Sequence, residues 1–204
     1  MKVVKLFVVV MLAAFVAVAN DGGKATKKAV SYKVDTKASS FGWLGKKFSG
    51  EHNGAIQIQS GSLVVDGAKL TGGEFTIDMN SITCADLQGE YNGKLVGHLK
   101  SEDFFGSEKF PTSTFKITKA VAKSATAYDI TGDLTIKGIK QSITFPATVS
   151  VDKSGKVSAN AKFEVDRTKF GIKFKSKSLF SDLGDNFIYD NFTVDVKLVA
   201  GKGV

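Results

Sequence analysis

The sequence predicts an all-β domain built from antiparallel strands, a barrel or a sandwich. Three observations carry this. The apolar stretches are dominated by Phe, Val, Ile and Thr, a mixture that favours strands. Apolar and polar residues alternate with a period of two through most of the chain. Glycine is abundant at 21 residues and proline scarce at 2, so short apolar runs are punctuated by turns without being broken inside. Strands recurring at this spacing close into a barrel or face one another as two sheets.

The first segment is read as a targeting sequence. Lys2 and Lys5 form a positive region, and Leu6 to Ala19, "LFVVVMLAAFVAVA", is an apolar core ending in the small-x-small triplet Ala17-Val18-Ala19. The run is short of the ~20 residues a membrane span needs, and no cysteine follows it for lipid attachment. Cleavage after Ala19 is expected, with export to the periplasm or secretion beyond it. Residues 20–29, "NDGGKATKKA", lack apolar periodicity and read as a flexible leader. Residues 30–204 then form one domain, since no later stretch is long enough to serve as a linker. Cys84 is the sole cysteine, so no internal disulfide is available and an ordinary core must hold the fold. It is expected to be a small buried hydrophobe.

"GAIQIQ", "SLVVDG" and "GGEFTIDM" read as strands between glycine-rich turns. Lys94 to Asp103 is the helix candidate: Leu95 and Leu99 are four apart with Val96 beside them, a stripe that tertiary packing must hold in place. Within it Glu102 lies four residues from His98 and is expected to pair with it, with Phe104 and Phe105 pinning the helix end. Pro111 biases Phe110 toward extended backbone, and a strand follows in which Phe115 and Ile117 alternate with Lys116 and Thr118. Tyr128, Ile130, Leu134 and Ile136 share a parity, Lys137-Gly138 interrupts it, and Ile143, Phe145, Val149 and Val151 continue, which predicts a hairpin. Phe163 and Val165 are apolar at odd positions, whereas Phe170, Ile172 and Phe174 are apolar at even ones. One buried face cannot accommodate both, so a bulge or turn near Asp166-Arg167-Thr168 is expected, with Arg167 at a barrel rim. Phe192, Val194, Val196 and Leu198 close the series.

Chemistry-bearing motifs are scarce. His52, His98 and Cys84 lack the spacing of a zinc site, and His98 with Glu102 fits a surface pair better than a metal site. No GxSxG elbow, phosphate loop or opposed carboxylate pair is present, and no cofactor is called for. "RTKFGIKFKSK" interleaves basic and aromatic residues, but alternation puts the aromatics inside and the lysines in water. It therefore favours contact with an anionic membrane surface over nucleic acid. The formal net charge of +8, lowered by two on loss of Lys2 and Lys5, is compatible with that contact.

The order of several strings resembles the YceI-like family of lipid-binding proteins. They are "SYKVDTKASSFGWLGKKFSGEHNGAI", "GGEFTIDMNSIT", "KLVGHLKSEDFFGSEKFPTSTFKIT", "ITGDLTIKGIKQSITFP", "FEVDRTKFGI" and "NFTVDVKLVA", running from about Tyr32 to Val199. The resemblance implies an extended lipocalin-like antiparallel β-barrel of about eight strands with a short helical insertion. It also implies an elongated apolar interior for a polyisoprenoid or related long-chain lipid, a periplasmic setting, and for some members a homodimer. It brings no catalytic residues, so a binding protein and not an enzyme is expected.

Strand parity nominates the inward, ligand-facing residues: Phe115, Ile117, Ile130, Leu134, Phe145, Phe163, Val165, Phe192, Val194 and Val196, with Arg167 at one mouth facing a headgroup. Burying ten methylenes of an acyl or prenyl chain gives roughly 8 kcal/mol gross, the scale of micromolar binding before association costs. Two other readings stand beside this one. The barrel is filled and serves interaction or stress response, or an enzyme acts on a lipid or quinone through His98 with Glu102 or Asp103. Arg167 has a second reading too, as a structural residue paired with Asp166 or another acid.

Overall fold

A computed structural model describes residues 29–202; the expected targeting sequence and leader residues 20–28 lie outside the described residues. Ten strands and one helix follow in the order β1 (Val30–Val34), β2 (Ser40–Lys47), β3 (Gly50–Ala55), β4 (Gln57–Asp66), β5 (Lys69–Asp78), α1 (Gly89–Lys100), β6 (Thr112–Ala122), β7 (Ala127–Ile136), β8 (Ile139–Val151), β9 (Val157–Asp166) and β10 (Ile188–Lys202). Every strand pairing is antiparallel. The ring runs β1-β4-β5-β6-β7-β8-β9-β10 and returns to β1, a closed eight-stranded barrel, with the β2–β3 hairpin added on β10. The barrel, not the sandwich, is the outcome, and α1 is its short helical insertion.

Closure depends on the length of β10. Its last residues, Ala200–Lys202, pair with β1, while Ile188 to Lys197 pair with β2 on the same edge. The edge of β10 is thus taken by β1, which continues to β4, at one end of the barrel and by the hairpin at the other. The β1 end is filled: Tyr32, Val34, Val65, Tyr128, Val157 and Ala200 are all buried. The second end carries α1 and the loops spanning 101–111 and 167–187.

The β7–β8 hairpin forms as expected. Ile136 faces Ile139, and Lys137 and Gly138 both adopt positive φ, 49° and 73°, the type I′ geometry that follows the twist of the flanking strands. Gly61 departs from expectation. The segments around it are one strand, β4, and Gly61 is inside it, not in a turn. A Cβ there would come within 2.6 Å of the Phe75 ring, so the glycine admits an aromatic ring close against the sheet. Gly132 of β7 does the same for Phe115.

The helix also differs from its expected range. It begins at Gly89 and ends at Lys100, five residues earlier and three residues short of the Lys94–Asp103 expectation. Its first five residues, Gly89 to Gly93, offer only Tyr91 as a large apolar side chain, and that ring is exposed, so they show no apolar stripe. At the other end Ser101 leaves helical geometry (φ −70°, ψ 170°) and its hydroxyl donates to the His98 carbonyl. Leu99 is buried, and Leu95 and Val96 lie against the core, as the stripe requires.

The register slip after Val165 is resolved by a turn and not a bulge. β9 ends at Asp166, whose carboxylate accepts from the Thr168 amide (3.0 Å) and hydroxyl (2.6 Å), and Arg167–Phe170 form a 3₁₀ turn. The stretch beyond is irregular backbone, yet Phe170 and Ile172 are fully buried while Lys169, Lys173 and Lys175 face solvent. The inside–outside alternation survives without a strand to carry it.

Candidate functional site

The strands enclose a cavity of about 210 Å³, walled by seven of the eight ring strands and by β2. Its floor, toward the filled end, is Leu63, Leu70, Val149, Ala159 and Leu198. Leu99 of α1 and Phe104, Phe105 and Ile172 of the loops lie at the other end. A line of four phenylalanines crosses the wall. Phe75 faces Phe115 at 6.5 Å between ring centroids, Phe115 lies 5.5 Å from Phe145, and Phe145 stacks on Phe163 at 4.0 Å. The line passes over β7 because Gly132 leaves room for the Phe115 ring there.

All eleven sequence-nominated residues, Arg167 included, are on this wall. Phe41, Trp43, Phe75 and Tyr189 are on it too and were not nominated. Phe75 was legible from the alternation in "GGEFTIDM". The β2 pair was not, because every residue from Phe41 to Gly45 is half-buried and β2 shows no alternation in burial.

The wall offers a guest few polar groups. Ser113 donates its hydroxyl to the Thr135 carbonyl at 2.7 Å. Arg167 is not at an exposed rim: it is 4% exposed, with Nε donating to Tyr189 O (3.1 Å), Nη1 to Ile172 O (3.0 Å) and Nη2 to Ile188 O (3.1 Å). Its carboxylate neighbour is Asp190 at 3.8 Å, while Asp166 is occupied with Thr168. Burial pulls the guanidinium below its ordinary pKa and the charges of Asp190 and Asp166 oppose that pull; it stays protonated at neutral pH. Burial raises the Asp190 carboxyl, but hydrogen bonds from Ser176 and Ser178 and the Arg167 charge outweigh it and hold the group below the usual carboxylate range. Among the described residues, every buried side-chain nitrogen and oxygen has a partner. An apolar cavity with its polar lining already satisfied stays dry and accepts an apolar guest.

The wall is interrupted where β10 meets β2. The ladder shifts between Ile188, opposite Lys47, and Phe192, opposite Gly45, so that Tyr189, Asp190 and Asn191 face Lys46 alone. Lys46, Tyr189 and Asn191 are exposed and also line the cavity. The cavity therefore reaches the surface at this break.

The histidines lie off the wall. His98 is half-exposed and its Nε2 is 3.1 Å from Asp103, not Glu102, because the helix ends before residue 102 can complete the i, i+4 face. Glu102 faces Lys137, whose Nζ donates to the Glu102 carbonyl at 2.7 Å. His52 Nδ1 meets Asp86 at 2.7 Å, and Asp86 also accepts from the Asn53 amide at 2.9 Å. The Asn53 amide first, and His52 next, hold the Asp86 carboxyl well below the ordinary carboxylate range. These bonds fasten the Thr83–Asp86 segment along the free edge of β3, where the Thr83 amide also bonds Ala55 O (2.9 Å) and Trp43 Nε1 bonds Thr83 O (3.0 Å). Cys84 is buried beside this fastening, with Sγ 3.3 Å from Asp86 Oδ1.

Comparison with known proteins agrees with this architecture. The YceI-like domain matches residues 32–200. The chain belongs to the YceI-like family. UPF0312 proteins are among its relatives: one from Pseudomonas putida strain W619 is 25% identical over 156 residues, covering 71% of this chain and 78% of that protein. Another from Staphylococcus aureus strain USA300 is 31% identical over 145 residues, covering 62% and 81%. Among solved structures, Burkholderia cenocepacia BcnA shares the fold with a TM-score of 0.63 at 23% identity, covering 82% of this chain and 99% of that one. A polyisoprenoid-binding domain from Saccharophagus degradans shares it with a TM-score of 0.61 at 14% identity, covering 86% and 100%.

Proposed function

We propose that the protein binds the hydrocarbon chain of a long apolar lipid in the barrel interior, with polyisoprenoids as the ligand class, and serves as its carrier or scavenger after export to the periplasm. The observation that carries this is the apolar cavity walled by seven ring strands, with its few buried polar groups already bonded. The fold shared with a polyisoprenoid-binding domain supports the ligand class, and the apolar run ending at Ala19 supports export. A filled barrel fits the β1 end but not the middle, where the cavity lies. The reading is of binding, not catalysis: His98, the residue an enzyme mechanism would use, is outside the cavity wall and paired with Asp103.

The test is to purify the exported protein without detergent, extract it and weigh the intact complex by native mass spectrometry. A discrete prenyl or acyl species near one per chain is the expected result. Repeated absence of bound lipid, together with no uptake of offered polyisoprenoid, overturns the reading. Phe163→Asp sharpens it, since a carboxylate placed against Phe145 has no partner in an apolar wall. Folded Phe163→Asp protein with unchanged lipid affinity would show that the chain lies elsewhere. N-terminal sequencing of the exported form checks the expected start at Asn20.

A further inference from the structure

The break in the wall opens within a patch of exposed aromatic and basic side chains. Phe48, in the β2–β3 turn, is 52% exposed, and Tyr189, beside the break, is 39% exposed. Phe187 joins them, with its ring 5.6 Å from Phe48 and 5.1 Å from Tyr189, both edge-on. Lys177 sits over both of the latter rings, its Nζ 4.9 Å from the Phe187 centroid and 5.1 Å from that of Tyr189. Leu179 and Phe180 follow on the same segment, 49% and 44% exposed. Side chains of this size are rarely left in water as a group without a use.

Three lysines without an ion pair among the described residues lie beside them. Lys47 faces Ile188 across the ladder, Lys175 precedes the patch, and Lys177 is the one over the rings. Glu51 is 3.8 Å from Lys46, Asp190 is turned inward to Arg167 and Ser176, and Asp182 and Asp185 are the acids of the following loop.

We propose that this patch seats the cavity opening on an anionic lipid bilayer. Aromatic rings beside lysines match the two layers of such a surface, since rings settle at headgroup depth and ammonium groups meet lipid phosphates. Position decides the partner. Tyr189 belongs both to the patch and to the cavity wall, so a chain leaving the bilayer here enters the barrel without crossing water. A second copy of this chain on the same patch would instead cover the opening. The proposal rests on the lipid-binding reading and names the surface from which that lipid is drawn.

The test is flotation of the exported chain with vesicles of phosphatidylcholine alone or doped with phosphatidylglycerol. Binding to the anionic vesicles that weakens as salt is added is expected. Phe48→Ser with Phe180→Ser should weaken it roughly tenfold, about 1.4 kcal/mol. Lys47→Gln with Lys177→Gln should remove the preference for anionic vesicles. None of these four side chains lines the cavity, so uptake of a polyisoprenoid delivered from cyclodextrin should be unchanged in both variants, while extraction from vesicles slows. Near-UV circular dichroism checks that they fold. A folded wild-type chain that takes the delivered lipid but never floats overturns the docking surface and leaves the cavity reading standing. Flotation without any lipid uptake supports the surface and overturns the cavity reading. Variants that float like wild type, or that only convert a dimer to a monomer, overturn the docking surface.

Discussion

The two ends of the barrel solve closure in different ways. At the β1 end, regular strands bring Tyr32, Val65, Val157 and Ala200 together, and the space is filled by side-chain packing. At the helix end, the segment from residue 167 to 187 is largely irregular backbone that turns inward at Arg167, Phe170, Ile172 and Ser176. Buried carbonyls there have no ladder to join and must find other donors. Arg167 donates to one of them, Ile172 O, and with the same planar group to Ile188 O and Tyr189 O at the start of β10, while Asp86, as an acceptor, secures the edge of β3. One end is therefore held by apolar volume and the other by a few multidentate polar residues. Only the second arrangement leaves an opening in the wall and space behind it.

Removing Arg167 should break this contrast most severely. Arg167→Met takes a donor from three carbonyls, of which Ile188 O keeps the Lys177 amide, and leaves Asp190 without its countercharge, and a loss of about 3–5 kcal/mol is expected in urea unfolding. Arg167→Lys should recover little, because one ammonium cannot reproduce three divergent bonds. A fully stable Arg167→Met protein would mean that the helix end does not depend on this residue.

Paired truncations compare the filled end with the cavity. Tyr128→Ala removes a ring that is 3% exposed and should cost about 3–5 kcal/mol, the range for aromatic-to-alanine changes in a closed core. Phe115→Ala removes a half-buried ring that already borders space, so it should cost about 1–2 kcal/mol less. Lipid uptake should follow the opposite order: weakened by Phe115→Ala, retained by the folded fraction of Tyr128→Ala. Equal stability losses with equal uptake would erase the distinction between the ends.

Asp86 gives the comparison a pH dependence. Its folded-state pKa is depressed, so the unfolded chain binds its proton more readily. The associated stability is present above the unfolded carboxylate value of about 3.9 and is lost as pH falls below it toward the folded value. Asp86→Asn should lower stability by about 1–2 kcal/mol near neutral pH, and the gap to wild type should shrink on acidification through that window. A gap that is constant from neutral pH to pH ~3 excludes this role for the Asp86 charge.

The same division separates what the sequence revealed from what it hid. Strands β6 to β10 keep one face inward, so alternation exposed them and placed ten of the eleven nominated side chains on the wall; Arg167, the other, reaches it from the turn after β9. Where closure rests on single polar residues, no period exists to read. Phe170 and Ile172 looked like strand residues, yet Asp166 and Arg167 turn the chain. The first turn of α1 has no apolar stripe, and a helix ending at Lys100 moved the His98 partner from Glu102 to Asp103. β2 is half-buried along its middle because it flanks the opening. The cavity itself was beyond parity, which says which way a side chain points but not whether its neighbour reaches it.

The smallest expected effect lies where the ends of two regular elements meet the irregular one. Lys137 occupies the first position of the β7–β8 turn with φ 49°, a conformation Asn accepts more readily than Lys. Its side chain also reaches across to donate to the Glu102 carbonyl at 2.7 Å, tying the turn to the loop that follows α1. Lys137→Asn should relieve the backbone and cut the tie, two effects of about 0.5–1 kcal/mol with opposite sign. Global stability should then change by less than about 0.5 kcal/mol, while amide exchange in residues 101–106 accelerates. Lys137→Gly relaxes the same backbone conformation and also lacks the tie, so it should accelerate the loop equally. Lys137→Met keeps the strain without the tie, and should both accelerate the loop and lower stability. If exchange in the loop is unmoved in all three variants, the helix end is held without help from the hairpin, and Arg167 and Asp86 carry it between them.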